Sequence, residues 1–147
     1  MEELYRAGRV RAIGVSNFLP HHLENLLEVC TVPPMVDQIE FHPGYVQWET
    51  VEFCRASQIL VEAWSPLGRQ RLADDPLLAE LAGKYGVSQA QICLRFALDC
   101  GVVPLPKSAD AGRMRQNLAL DFALEAEDLE RLRTMPQTGW SGLHPDK

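Results

Sequence analysis

Four times along this chain a short apolar run ends in polar residues and is followed by an amphipathic helical stretch, giving the order βαβαβαβα. The runs are Arg9–Asn17 (RVRAIGVSN), Met35–Phe41 (MVDQIEF), Ile59–Trp64 (ILVEAW) and Gly101–Leu105 (GVVPL). In the helix expected over Pro20–Cys30, Pro20 takes a first-turn position and Leu23, Leu26 and Leu27 share a face. Trp48–Ser57 directs Val51 and Cys54 inward together with Ile59, and Gly86 separates helices over Asp75–Tyr85 and Ser88–Cys100. Ser88 and Gln91 have the spacing of a capping box. A further helix begins near Ala111, and Glu125–Met135 runs from acidic to basic in keeping with its dipole. Met1–Gly8 reads as the last turns of a helix, and the tail Pro136–Lys147, with Trp140, is expected to lie over another surface. Alternation of this kind specifies a parallel α/β sheet, here in one domain over residues 1–147.

Two architectures satisfy that order: an open doubly wound sheet and part of a closed β/α barrel of the TIM type. No GxGxxG follows the first strand, which weakens the dinucleotide-binding open sheet. Polar residues collect instead at the C-terminal end of every strand: Ser16 and Asn17, Gln38 and His42, Trp64 and Ser65, Lys107 and Ser108. In a β/α barrel those ends form the active face, and phosphate commonly binds at the loops after the last two strands. The reading is therefore a barrel, although a complete one needs ~250 residues and eight strands. This chain supplies four β/α units.

The strongest chemical signal lies in Gly101–Asn117, GVVPLPKSADAGRMRQN. Lys107, Ser108 and Arg113 sit where a strand hands over to a helix N-terminus. Unpaired backbone N–H groups and the positive end of the helix dipole favour an anion there. A guanidinium fork and an ammonium beside them favour a phosphate. A solvated basic turn has the same composition, so the rest of the chain must decide.

A net charge of −6 on 147 residues argues against a general nucleic-acid or membrane-surface role. An acidic chain with one small basic cluster suits a small phosphorylated ligand. No apolar run approaches the ~18 residues of a membrane span, and charged residues follow Met1 where a secretory signal would be apolar. The expected compartment is the cytoplasm. Cys30, Cys54, Cys93 and Cys100 lack CxxC spacing and nearby paired histidines, and read as free buried thiols.

The blocks GRVRAIGVSNF (8–18), VDQIEFHP (36–43), VEAWSPLG (61–68) and GVVPLPKS…R..QN (101–117), in this order and spacing, resemble the aldo-keto reductases, most closely their 2,5-diketo-D-gluconate reductase-like branch. The resemblance covers essentially the whole chain. It implies the second half of a (β/α) barrel, strands five to eight, carrying most of the contacts to NADPH. Ser16 and Asn17 resemble the pair that hydrogen-bonds the nicotinamide carboxamide, with Gln38 beside them; an amide supplies both the donor and the acceptor that a carboxamide needs. A helix N-cap before Pro20 would also explain Ser16 or Asn17. Trp64 resembles the aromatic that stacks on the nicotinamide, its alternative being a core indole. Ser65, Pro66, Leu67 and Gly68 resemble the loop along the pyrophosphate, where a glycine permits close backbone approach. Lys107, Ser108 and Arg113 resemble the site for the adenosine 2′-phosphate, which favours NADPH over NADH, and Gln116 and Asn117 resemble residues facing the adenine. The family more often has Glu at the Gln116 position.

The family's proton-transfer tetrad of Tyr, Lys, Asp and His is placed by the resemblance in the first half of the barrel, before the position of Met1. Tyr5, Tyr45 and Tyr85 lie outside the family's tyrosine context. His42 reads as a structural or pocket-wall residue, His21 and His22 as a solvated helix start, and His144 as part of the tail. The expected partners are a small carbonyl substrate once the barrel is completed, and either a second copy of the chain or a complementary N-terminal half. A half-barrel that binds sugar phosphates instead of NADPH is the third reading.

Overall fold

A computed structural model describes residues 1–146; Lys147, the last residue of the expected tail, lies outside the described residues. The strands β1 (Gly14–Ser16), β2 (Val36–Glu40), β3 (Leu60–Trp64) and β4 (Val103–Pro104) form one sheet in the order β1-β2-β3-β4. Every neighbouring pair is parallel. The helices are α1 (Glu2–Arg6), α2 (Pro20–Val29), α3 (Trp48–Ala56), α4 (Pro76–Tyr85), α5 (Gln89–Asp99), α6 (Ala111–Leu118) and α7 (Ala126–Arg133). A doubly wound sheet reverses its strand order at a switch point. This sheet proceeds in sequence order, as a barrel does.

Side-chain alternation divides the sheet into two faces. Ile39, Val61 and Ala63 belong to the core with Leu23 of α2, Val51 and Cys54 of α3, Leu81 of α4 and Phe96 of α5. Phe41 stacks on Phe96 with ring centroids 5.7 Å apart. Burying each such Leu or Phe completely contributes about 2–3 kcal/mol before the entropy of ordering it is set against it. Gln38, Glu62 and Trp64 lie on the opposite face, only half-buried.

Several boundaries follow from local chemistry. The Leu78 N–H donates to the Asp75 carboxylate at 3.1 Å, capping α4, and Gly86 closes that helix at φ 67°. Ser88 and Gln91 form the expected capping box of α5. α2 is capped differently from expectation: its N-cap is Leu19, whose N–H donates to His22 Nδ1 at 3.0 Å. Neither Ser16 nor Asn17 is therefore a cap. β4 is also shorter than the Gly101–Leu105 run. The Val102 N–H is taken by the Ala97 carbonyl, so pairing starts only at Val103, opposite Glu62; Pro104 has no N–H, and past the strand Leu105 donates to Ala63 at 3.0 Å. All four cysteines are free, but Cys30, at the C-cap of α2, is partly exposed. Burial pushes the Cys54, Cys93 and Cys100 thiols up to about 12, leaving them unreactive at neutral pH.

The tail crosses the C-terminal end of β2. The Ser141 N–H and Oγ donate to the two oxygens of Glu40 at 3.0 and 2.6 Å, and Trp140 stacks on Tyr45. Burial pushes the Glu40 carboxyl upward, but the adjacent His42 ring, with Nε2 3.5 Å away, and the hydrogen bonds from Ser141 outweigh it and hold the group below its usual range. Gly139 lies so close that an added Cβ would stand 3.0 Å from His42 Cε1. His42 is wholly buried there, a structural residue, while His21 and His22 meet Asp146 of the tail rather than solvent alone. Among the described residues no helix is long and apolar enough to cross a membrane.

Asp37 is the exception to the apolar core face. It is fully buried, its Oδ1 accepts from the Phe18 N–H at 3.4 Å, and among the described residues Oδ2 meets no donor. Burial pushes its carboxyl up to about 6 from the usual 3.8. A raised folded-state value means that this group's stabilisation is complete below 3.8 and is lost as the pH rises through about 6. Asp37→Asn should therefore be more stable than the parent at pH 8, by about 1–3 kcal/mol, with the advantage shrinking between pH 6 and pH 4. Urea unfolding across that range measures it; an advantage independent of pH would contradict this account.

Candidate functional site

The strand register brings the polar ends of β1, β2 and β3 level. Ser16 pairs with Gln38, Gln38 with Glu62, and Glu40 with Trp64. Ser16 Oγ and the Asn17 N–H both donate to the Gln38 carbonyl, at 2.9 and 3.0 Å. Asn17 takes the left-handed φ of 58°, which asparagine tolerates better than most residues. That turn brings its side chain to Trp64, whose Nε1–H donates to Asn17 Oδ1 at 2.7 Å. The Gln38 Nε2–H donates to Glu62 Oε2 at 2.9 Å. Trp64 is half-buried and stands outside the apolar core, so it is not a core indole. The Arg69 guanidinium covers its ring at 5.3 Å while the Arg69 Nε–H donates to Ser65 Oγ at 3.0 Å.

Beyond Trp64 a cavity of about 550 Å³ opens between the loop after β3 and the loop after β4. Ser65, Pro66 and Leu67 line one side, and Lys107, Ser108, Arg113, Gln116 and Asn117 the other. Ser65 holds a left-handed φ of 50°, a strained conformation for serine that turns the chain into this wall. Lys107 and Arg113 are exposed and their charges face the same space.

Of the residues named from sequence, Ser16, Asn17, Gln38 and Trp64 meet at the strand ends outside this lining, one lies apart from both groups, and others were missed. Gly68 does not line the cavity; it is buried at φ 59°, and a Cβ there would meet Leu72 Cγ at 2.7 Å. Its glycine is required by that turn and by Leu72 rather than by an approaching ligand. Arg69, Gln70 and Ala90 line the cavity without having been expected. Arg69 and Gln70 both hold positive φ, at 50° and 67°, which residue type alone would not suggest. Asp110 was also missed. It is the N-cap of α6, accepting from the Arg113 N–H at 2.7 Å, a bond that together with the Arg113 charge holds its carboxyl below the usual range. An Asp one residue before a predicted helix start is the signal that could have revealed it. The helix terminus is thus partly satisfied by its own carboxylate, and the anion-binding capacity rests on the Lys107 and Arg113 side chains.

These residues fit an elongated ligand carrying a primary amide at one end and phosphate at the other. The amides of Asn17 and Gln38 beside the flat face of Trp64 can hold the first end, and two cations with the Ser108 hydroxyl can hold the second. The cavity, lined by the cationic residues and bordered by the loop that leaves Trp64, is large enough for the intervening groups.

Over residues 1–135 the chain matches the aldo/keto reductase family. It is 43% identical over 148 residues to a glyoxal reductase of Bacillus subtilis, covering 100% of this chain and 54% of that protein. It is 39% identical over 150 residues to a methylglyoxal reductase of Salmonella typhimurium, covering 100% of this chain and 54% of the relative. An aldo-keto reductase of the silkworm Bombyx mori, solved in complex with NADPH, superposes with a TM-score of 0.89 at 32% identity, over 98% of this chain and 47% of its own. The chain therefore spans about half the length of the curated relatives it matches, and its sheet corresponds to part of their barrel. Sequence and fold agree: this chain belongs to the aldo/keto reductase family.

Proposed function

We propose that this chain is the NADPH-binding half of a reductase that converts aldehydes or ketones to alcohols. The observation that carries the reading is the single cavity in which Lys107, Ser108, Arg113, Gln116 and Asn117 face the Ser65–Leu67 loop. In it Lys107, Ser108 and Arg113 hold the adenosine 2′-phosphate, Ser65, Pro66 and Leu67 border the pyrophosphate, and Gln116 and Asn117 face the adenine. Ser16, Asn17 and Gln38 hold the nicotinamide carboxamide, and Trp64 supports the ring. A ring stacked on the covered face of Trp64 replaces the Arg69 guanidinium, an exposed side chain free to swing aside.

Bound NADPH supplies a hydride to the carbonyl carbon. The oxygen then needs a proton, and an alkoxide formed without a positioned acid is costly. In this reading the acid comes from the half of the barrel to which the resemblance assigns the family tetrad, and Tyr45 and Tyr85 are already engaged elsewhere, on Trp140 and on Asp128. The glyoxal and methylglyoxal reductases among the relatives support a small carbonyl as substrate.

Arg113→Ala should weaken NADPH binding about 10-fold or more, the loss of a charge-assisted bond, and NADH binding far less; titration by tryptophan fluorescence reads both, and equal losses would sink the 2′-phosphate assignment. Purified alone, the 147-residue chain should bind NADPH without reducing a simple aldehyde at a family-like rate. Steady NADPH consumption under those conditions would refute the division of labour.

A second reading rests on the sheet edges. Neither β1 nor β4 has a second neighbour among the described residues, and open edges invite pairing. A homodimer, or a complex with a complementary half, would close them as a non-catalytic NADPH-binding assembly. Size-exclusion chromatography separates the cases: a stable dimer of the purified chain favours this reading, whereas an aggregating monomer favours the half-enzyme.

A further inference from the structure

Two donor-acceptor facts at the strand ends leave no freedom in how the amides of Asn17 and Gln38 are turned. An indole N–H can only donate, so the 2.7 Å contact from Trp64 Nε1 must fall on the Asn17 oxygen. A carboxylate can only accept, so the 2.9 Å contact at Glu62 must come from the Gln38 NH₂ group. Asn17 therefore retains its NH₂ as the outward donor, and Gln38 retains Oε1 as the outward acceptor. The backbone holds the two residues side by side, since Ser16 Oγ and the Asn17 N–H converge on the Gln38 main-chain carbonyl. A primary carboxamide offers one acceptor oxygen and one donor NH₂, the complement of this pair.

Resting on the NADPH reading above, we infer that Glu62 is a positioning residue. Its carboxylate holds the Gln38 amide with the oxygen outward, so that Asn17 and Gln38 together accept a carboxamide in one orientation and reject groups lacking the NH₂. Glu62 does this without belonging to the phosphate end: it does not line the cavity that holds Lys107 and Arg113. Its place is set by register, one strand from Gln38 and two residues before Trp64 on the same face of β3. An unsatisfied acceptor facing a methyl group costs more than a neutral mismatch. A ligand with a methyl ketone in place of the carboxamide is thus discriminated against by Gln38 Oε1 itself.

Calorimetric titration of the purified chain with three ligands tests the inference: NADPH, its reduced 3-acetylpyridine analogue, in which a methyl ketone replaces the carboxamide, and 2′-phospho-ADP-ribose, which lacks the nicotinamide. The parent should bind NADPH about tenfold more tightly than the acetylpyridine analogue. Glu62→Gln should lose most of that discrimination while binding 2′-phospho-ADP-ribose as the parent does. Gln38→Ala should lose as much, and adding Glu62→Gln to it should change nothing more, because Glu62 acts through Gln38. A parent that fails to discriminate, a Glu62→Gln variant that discriminates unchanged or loses 2′-phospho-ADP-ribose as well, or additive losses in the double variant would each overturn the role of Glu62. A parent that binds neither NADPH nor 2′-phospho-ADP-ribose would instead overturn the cofactor reading beneath it.

Discussion

The site depends on one register. Gln38 sits between Ser16 on β1 and Glu62 on β3, and Glu40 sits beside Trp64. Because side chains alternate along a strand, a slip of one residue would turn Gln38, Glu62 and Trp64 into the helix layer and expose Ile39, Val61 and Ala63. The apolar residues facing α2 to α5 are what prevent that slip. Packing on one face of the sheet thus fixes the donor-acceptor pattern on the other. The tail adds a second clamp at the same level, through Ser141 on Glu40 and Trp140 on Tyr45.

Where local rules act alone, the chain was readable from its residues. Periodicity located the helices to within a residue or two, and Ser88 with Gln91 marked the start of α5 because a capping box needs nothing from elsewhere in the fold. The runs MVDQIEF and ILVEAW became β2 and β3 for the same reason. Errors arose where a distant group decided the outcome. The His22 ring took the α2 N-terminus that Ser16 or Asn17 was expected to cap, and Ala97 took the Val102 N–H that a longer β4 would have used. Residue type also gives little warning of conformation. Arg69 and Gln70 enter the cavity wall because both hold positive φ, and Gly68 leaves it because its turn packs on Leu72.

The candidate site was legible in a different way. Polar residues at the ends of four apolar runs imply a common face only if the strands are parallel and in sequence order, and the sheet has that order. What could not be read was how those residues occupy one another's hydrogen-bonding groups. Each of Asn17, Gln38 and Trp64 has a partner within the set or next to it, and those partners determine which atoms stay free for a ligand.

Electrostatics at the other end follows the same logic of prior occupation. The chain carries a net charge of −6, so its distant field repels a phosphate, and attraction must be local. Asp110 places a carboxylate at the start of α6, a charge that opposes such attraction. Its oxygen, however, is taken by the Arg113 N–H, so the charge is bonded to the helix terminus. A capped terminus holds α6 in place, and α6 carries Arg113, Gln116 and Asn117 to the cavity wall. Asp110 spends part of the helix dipole on order, and in the proposed reading a phosphate would be left to side chains whose positions that order secures.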